Sequence, residues 1–218
     1  MAQAATAPLK TLAHNEARAA LVAATVEAVS RHGGASLQPN QICHELGLSR
    51  SLVNFHFGGR DGLIAEAMEQ GYAGYVEELR LATEAAGDNP LDRLFAWTDR
   101  QIEWTIQNPG LAAALNFQHE ASGMHGGMPD EVAAQLAETG AQNFNFLIEL
   151  VRAVRESNGV ATDSSTLGFD SAVVGWLTLG LSVWLAGRHA PTQHLARPDL
   201  VKLAKERSHR LIAGMLEV

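Results

Sequence analysis

The sequence predicts an all-α protein of about nine helices, an N-terminal three-helix unit followed by a larger helical one. Three observations carry this. Apolar residues recur at three- and four-residue spacing through most of the chain. Prolines stand just inside helix starts at Asn89-Pro90, Asn108-Pro109, Met128-Pro129 and Pro198. No run alternates for long enough to make a strand. The 218 residues, 46% hydrophobic and 18% charged, suffice to bury a large core without a disulfide or metal staple. Cys43 is the single cysteine, which excludes an intrachain disulfide and a cysteine-rich zinc site and makes a reducing, cytoplasmic setting the expectation.

Taken in order, residues 1–14 are small and polar at first and are expected to form a frayed arm. Leu21, Ala24 and Ala28 with Val22, Val26 and Val29 make the apolar face of a first helix that Gly33-Gly34 should stop. Pro39 opens a short second helix with Ile42 and Leu46 in the core, and Gly47 ends it. Ser49 is a good N-cap for a short third helix, whose buried side is Leu52 or Val53 with Phe57. A long fourth helix follows from about residue 62 to 86, and later ones span about 90–107, 109–122, 129–157, 166–188 and 198–216. The uncharged stretch from Ser171 to Gly187 lies at the short edge of a membrane span and carries Ser and Thr, so it reads as a buried helix and no membrane is expected.

Net charge is -8 but unevenly spread. Up to Gly62, Lys10, Arg18, Arg31, Arg50 and Arg60 outnumber Glu16, Glu27, Glu45 and Asp61, whereas the remainder is strongly acidic. Such asymmetry suggests one end that meets a polyanion and a different task for the rest. Two short helices joined through Gly47-Leu48-Ser49 have the dimensions of a helix-turn-helix, with a generic helical corner as the alternative. In the first case the N-terminal end of the second helix enters a major groove. Arg50 has the planar fork that reads guanine. Ser51 and Asn54 can bond a base edge or phosphate, and Leu52 can meet a thymine methyl if Val53 takes the core. Phe55 is a base or sugar contact or a packing aromatic, and His56 packs or meets a phosphate. Arg60 lies before the fourth helix, whose free N–H groups also favour a phosphate.

The stretch from Gln41 to Leu63 resembles the DNA-binding domain of TetR-family transcriptional regulators. Ile42, Gly47, Leu48, Ser49, His56, Phe57, Arg60, Asp61 and Leu63 match that family's pattern outright or conservatively. Four departures stand out: Cys43 replaces the usual alanine, Asn54 a phosphate-contacting tyrosine, Arg60 a lysine, and Gly58-Gly59 a polar pair. Cys43 reads as a small packing residue. The resemblance implies an arm at 1–14, a DNA-binding domain at 15–75 with its motif at 38–57, and a ligand-binding and dimerisation domain at 76–218. It also implies that Asn40 reaches a base or the backbone, and that the last two helices pair with their symmetry mates.

For that pairing, Ser171, Gly175, Thr178, Ser182 and Ala186 form a small-residue stripe on the eighth helix, and Leu200, Leu203, Leu211 and Met215 face outward on the ninth. Candidates for an effector cavity are Trp97, Gln101, Trp104, Phe117, His119, Asn143, Phe144, Leu147 and Trp176, an apolar wall with a few polar groups. The expected partners are therefore double-stranded operator DNA, a small and largely apolar or aromatic effector, and a second copy of the chain. No cofactor or metal is expected, and no nucleophile elbow, zincin motif or phosphate loop points to an enzyme. The expected function is a ligand-released repressor on a palindromic operator. The alternative is a helical sensor or carrier that no longer binds specific DNA.

Overall fold

The structure, a computed structural model, describes residues 14–116, 124, 127–161, 163–186 and 197–217. Among these it holds nine α-helices, one 3-10 turn and no strand. The expected arm therefore lies outside the described residues except for His14, which already belongs to α1.

Helix α1 (His14–His32) buries Ala17, Leu21, Val22 and Val29, the predicted helical spacing. A 3-10 turn (Gly34–Ser36) leads to α2 (Pro39–Leu46), which buries Ile42 and Cys43, and then to α3 (Ser51–Phe57), which buries Val53. Val53, and not Leu52, takes the core position. Helix α4 (Arg60–Ala85) starts two residues before the expected point. Its buried residues, among them Leu63, Ile64, Met68, Tyr75 and Leu79, line one face from end to end.

The proline signals mark four of the remaining five helices, all but α8. Helix α5 (Pro90–Gln107) carries Pro90 in its first turn, and Asn89 Oδ1 accepts the N–H groups of Leu91 (2.9 Å) and Asp92 (3.1 Å). This satisfies two N–H groups that the helix itself leaves open. Helices α6 (Pro109–Asn116), α7 (Asp130–Ser157), α8 (Ser164–Ala186) and α9 (Arg197–Met215) complete the order. Residues 117–122 of the expected sixth helix lie outside the described residues.

Helices α1 to α3 and the start of α4 form a small head, and α4 to α9 form a bundle in which α8 packs most extensively on α5. A single apolar core runs from Leu21 in α1 to Leu216. The expected division at 75/76 falls inside α4, which continues unbroken across it. Helix α9 is fixed to α5 by Lys205 against Glu103, by His209 Nε2 against Asp99 at 2.8 Å, and by the His209 ring stacked 3.9 Å from Phe95. Helix α6 wedges between α1 and the bundle. A Cβ on Gly110 would collide with the carbonyl oxygen of Val29 and the amide nitrogen of Gly33, so the close approach requires glycine.

Helix α8 departs from its expected burial. It is long and apolar enough to cross a membrane by length and composition, yet only one face is covered. That face is the small-residue stripe. Ser171, Thr178 and Ser182 are fully buried, and their hydroxyls donate to the α8 carbonyls of Leu167, Val174 and Thr178; Thr178 also donates to Gln101 Oε1 of α5 at 2.9 Å. These three residues therefore seat α8 on α5 within the chain and are unavailable to a symmetry mate. Small side chains permit close approach, and the neighbour they admit is α5. Gly175 is half-buried beside Leu147, and Ala186 is half-buried. Instead Phe169 and Trp176 point outward, 71% and 70% exposed. On α9, Leu203 and Leu211 are exposed as expected, whereas Leu200 and Met215 are half-buried and Met215 packs on the core.

Replacing Gly110 by alanine should cost about 1–3 kcal/mol, because the added methyl group meets backbone that cannot rotate away. Gly74→Ala, on the exposed side of α4 with nothing near its Cβ, should instead gain about 0.5–1 kcal/mol. Thermal unfolding of the two variants should move the midpoint in opposite directions.

Candidate nucleic-acid interface and ligand cavity

The turn between α2 and α3 is fixed by its own backbone. Gly47 adopts φ 66° and donates to His44 O at 3.1 Å, while Leu48 donates to Cys43 O at 2.8 Å. The Ser49 hydroxyl accepts the Ser51 N–H at 3.3 Å, so it serves the start of α3 as expected, though the regular helix begins only at Ser51. With Val53 inward, the opposite side of α3 is set outward. Asn40, Arg50, Ser51, Asn54 and Phe55 are exposed, and Leu52 and His56 are half-buried. Arg50 makes no hydrogen bond or ion pair with the described residues. Phe55 is 71% exposed and touches the His56 ring edge-on at 5.1 Å, so it is not a core aromatic. It is a large apolar ring held in solvent on the outward side of α3. His56 lies between Phe55 and Phe57, a packing position. Cys43 is buried, and that burial raises its thiol pKa against a smaller opposing influence of Arg50, which makes it a poor nucleophile.

Arg60 has a second task that the sequence did not announce. Its Nε donates to Leu37 O at 3.2 Å, one terminal nitrogen donates to Gly34 O at 2.6 Å, and the other meets Asp61 at 3.1 Å. The guanidinium thus ties the start of α4 to the turn between α1 and α2. No side chain caps α4, so the N–H groups of its first turn are what this point offers a phosphate. Gly62 presses against the Phe57 carbonyl, where any Cβ would collide, and this fixes α3 against α4.

In the bundle, a cavity of about 530 Å³ lies between α4, α5, α6, α7 and α8. Trp97, Gln101, Trp104, Asn143 and Leu147 line it, with the exposed Phe144 and Trp176 at its edge. Phe117 and His119 lie outside the described residues. Sequence reasoning missed Tyr72 and Tyr75, which reach the cavity from α4 and stack at 6.0 Å. Their spacing of three on one helix is legible in the sequence, but the expected cavity residues all stand beyond the fourth helix. Tyr75 also packs 4.3 Å from the Trp104 ring. Burial pushes both phenols above their usual range, Tyr75 furthest, so both stay neutral near pH 7. Among the described residues, the wall carries no ionised side chain.

No protein-family model matches the chain. Over 164 residues it is 28% identical to the HTH-type transcriptional regulator BetI of Stenotrophomonas maltophilia (strain R551-3), which covers 72% of this chain and 82% of the relative. A TetR/AcrR-family transcriptional regulator from Thermobifida fusca YX-ER1 matches with a TM-score of 0.65 at 14% identity, over 89% of this chain and 97% of that one. The regulator AibR, solved with isovaleryl coenzyme A and operator DNA, matches at 0.63 and 14% over 87% and 96%. FadR of Bacillus subtilis, solved with stearoyl-CoA, matches at 0.61 and 13% over 89% and 96%. The chain thus has the fold of TetR/AcrR-family regulators over nearly its whole length, and the resemblance first carried by Gln41 to Leu63 holds for the rest at the level of fold.

The two arginines of the interface should separate in stability. Arg50→Ala should leave unfolding within about 0.5 kcal/mol of the parent, as an exposed side chain without partners does. Arg60→Ala removes part-buried, charge-assisted bonds to backbone carbonyls and should cost about 1.5–3 kcal/mol. Denaturant titration of both variants measures the difference.

Proposed function

We propose that this chain, built on the TetR/AcrR-family fold, is a transcriptional regulator of that family: a homodimer that represses from a palindromic operator and is released by a small effector. The observation that carries the reading is the outward side of α3, where unpartnered Arg50, Asn54 and a solvent-held Phe55 stand on a helix pinned by its turn and by Gly62. Arg50 reads guanine through its paired N–H groups, and the first turn of α4 holds a phosphate. Asn40, Ser51, Leu52 and His56 border the same surface.

A palindromic site requires a twofold partner with recognition helices about 34 Å apart. The outer face of α8 and α9, with Phe169, Trp176, Leu203 and Leu211, is the uncovered apolar surface that such a partner would bury. The effector occupies the cavity. Because Tyr72 and Tyr75 stand on α4, an occupant that favours one setting of α4 shifts the population of DNA-competent dimers. AibR and FadR, solved with acyl-CoA molecules, support the principle of a small-molecule partner. The second reading, a sensor without specific DNA binding, is favoured by Asn54 in place of a tyrosine and by the internal use of Arg60.

Selection from random duplex DNA with the purified chain should enrich an inverted repeat with half-sites about one helical turn apart. Arg50→Ala should weaken the selected site by about 1–3 kcal/mol, and raising salt from 50 to 200 mM should weaken both proteins steeply. Recovery of no common sequence would leave the sensor reading.

A further inference from the structure

Resting on the reading of α3 as the helix that meets DNA, we infer that Phe55 is a specificity-determining residue. It reads the 5-methyl group of a thymine in each half-site, beside the guanine that Arg50 reads.

Helix geometry sets the surface. Successive side chains on an α-helix stand about 100° apart. With Val53 buried, Ser51 and Phe55 point most nearly away from the core, and Leu52 and Asn54 flank them on opposite sides. Arg50, whose φ of -56° and ψ of -29° continue the helix backwards, shares the Asn54 side at a spacing of four. The outward surface therefore divides lengthwise. Arg50 and Asn54 supply hydrogen-bonding groups along one side, and Phe55 with the half-buried Leu52 supplies carbon along the other.

Base edges divide in the same way. Every base pair shows donors and acceptors in the major groove, and the thymine methyl is the apolar group among them. The Phe55 ring, 71% exposed, has no donor for a phosphate or a base edge, so this methyl is the base-specific contact open to it. Arg50 on the same outward surface brings the positive charge that selects an anionic duplex, and not an apolar protein face, as the occupant.

The ring is also oriented in advance. It meets His56 edge-on at 5.1 Å, and the His56 ring lies 5.8 Å from that of Phe57. The Arg18 guanidinium stands 5.6 Å over the Phe57 ring and pairs with Glu66 of α4 at 2.5 Å. Contacts thus run from α1 and α4 to the base of Phe55, which reduces the side-chain freedom lost on binding.

The test uses the full chain and the inverted-repeat duplex recovered by selection, with binding followed by fluorescence anisotropy. Thymines are replaced by deoxyuridine one position at a time, symmetrically in both half-sites, which removes a methyl group and leaves every hydrogen-bonding group in place. At one position, or two adjoining ones, the replacement should weaken binding about fourfold for each methyl removed. Phe55→Ala should bind the thymine duplex more weakly and no longer distinguish it from the deoxyuridine duplex, whereas Arg50→Ala should keep the distinction. Phe55→Leu, apolar but without the ring, should keep part of it. The deoxyuridine series on the parent chain needs no variant to fold, and far-UV circular dichroism checks the variants. Half-sites without thymine, or binding indifferent to every replacement, would overturn the inference. So would Phe55→Ala weakening both duplexes equally, which places the ring on a sugar. Each of these leaves the DNA reading standing, whereas selection of no common sequence would overturn both.

Discussion

The 26 residues of α4 pass from the head into the bundle without a break, so the two parts of the chain cannot be positioned independently. At 1.5 Å per residue the helix is about 39 Å long. Its first turn holds α3 through Gly62 and the α1–α2 turn through Arg60, while Tyr72 and Tyr75, further along, form part of the cavity wall. A helix transmits rotation and translation along its axis because its hydrogen-bond ladder resists bending. In the proposed regulator, a shift of the two tyrosines would be carried along α4 to α3. Helix α6 adds a second route, since Leu115 and Asn116 touch the cavity and Gly110 touches the end of α1.

Helix α8 meets two demands at once. Its serine and threonine hydroxyls bond back to its own carbonyls, which removes their need for water and lets that stripe lie against α5. On the opposite side Phe169 and Trp176 are left exposed among the described residues. A helix apolar all round normally belongs in the middle of a protein. In the proposed dimer a second copy would cover that side.

The sequence made the head legible because its constraints are local. Gly47 and Pro39, together with the alternation of apolar and polar residues over a few turns, define two short helices and a turn almost without reference to the rest. The starts at Pro90 and Pro109 were legible for the same reason, and the capped Asn89 shows the physics behind the signal. The cavity residues were found by their chemistry, as aromatic and amide groups on neighbouring helices. What stayed hidden was partner choice between distant segments. A stripe of small residues announces a close neighbour but not which one, so the α8 stripe was assigned to a symmetry mate when α5 occupies it. Arg60 announces a cation at a helix start but not the carbonyls of Gly34, Ala35 and Leu37, which arrive from more than twenty residues away. Tyr72 and Tyr75 had helical spacing, yet nothing local tells a core tyrosine from one at a cavity.

The proposed mechanical link between cavity and head can be loaded without knowing any ligand. A Cβ on Gly140 would lie 3.2 Å from the Tyr72 hydroxyl, so Gly140→Phe fills the cavity from α7 and pushes on α4. Gln142→Phe places the same ring on the exposed side of α7 as the control. Measured against the selected operator, Gly140→Phe should weaken DNA binding by about fivefold or more with Gln142→Phe unchanged, the size of an ordinary coupling between sites. Equal operator affinity in the two folded variants would contradict the link.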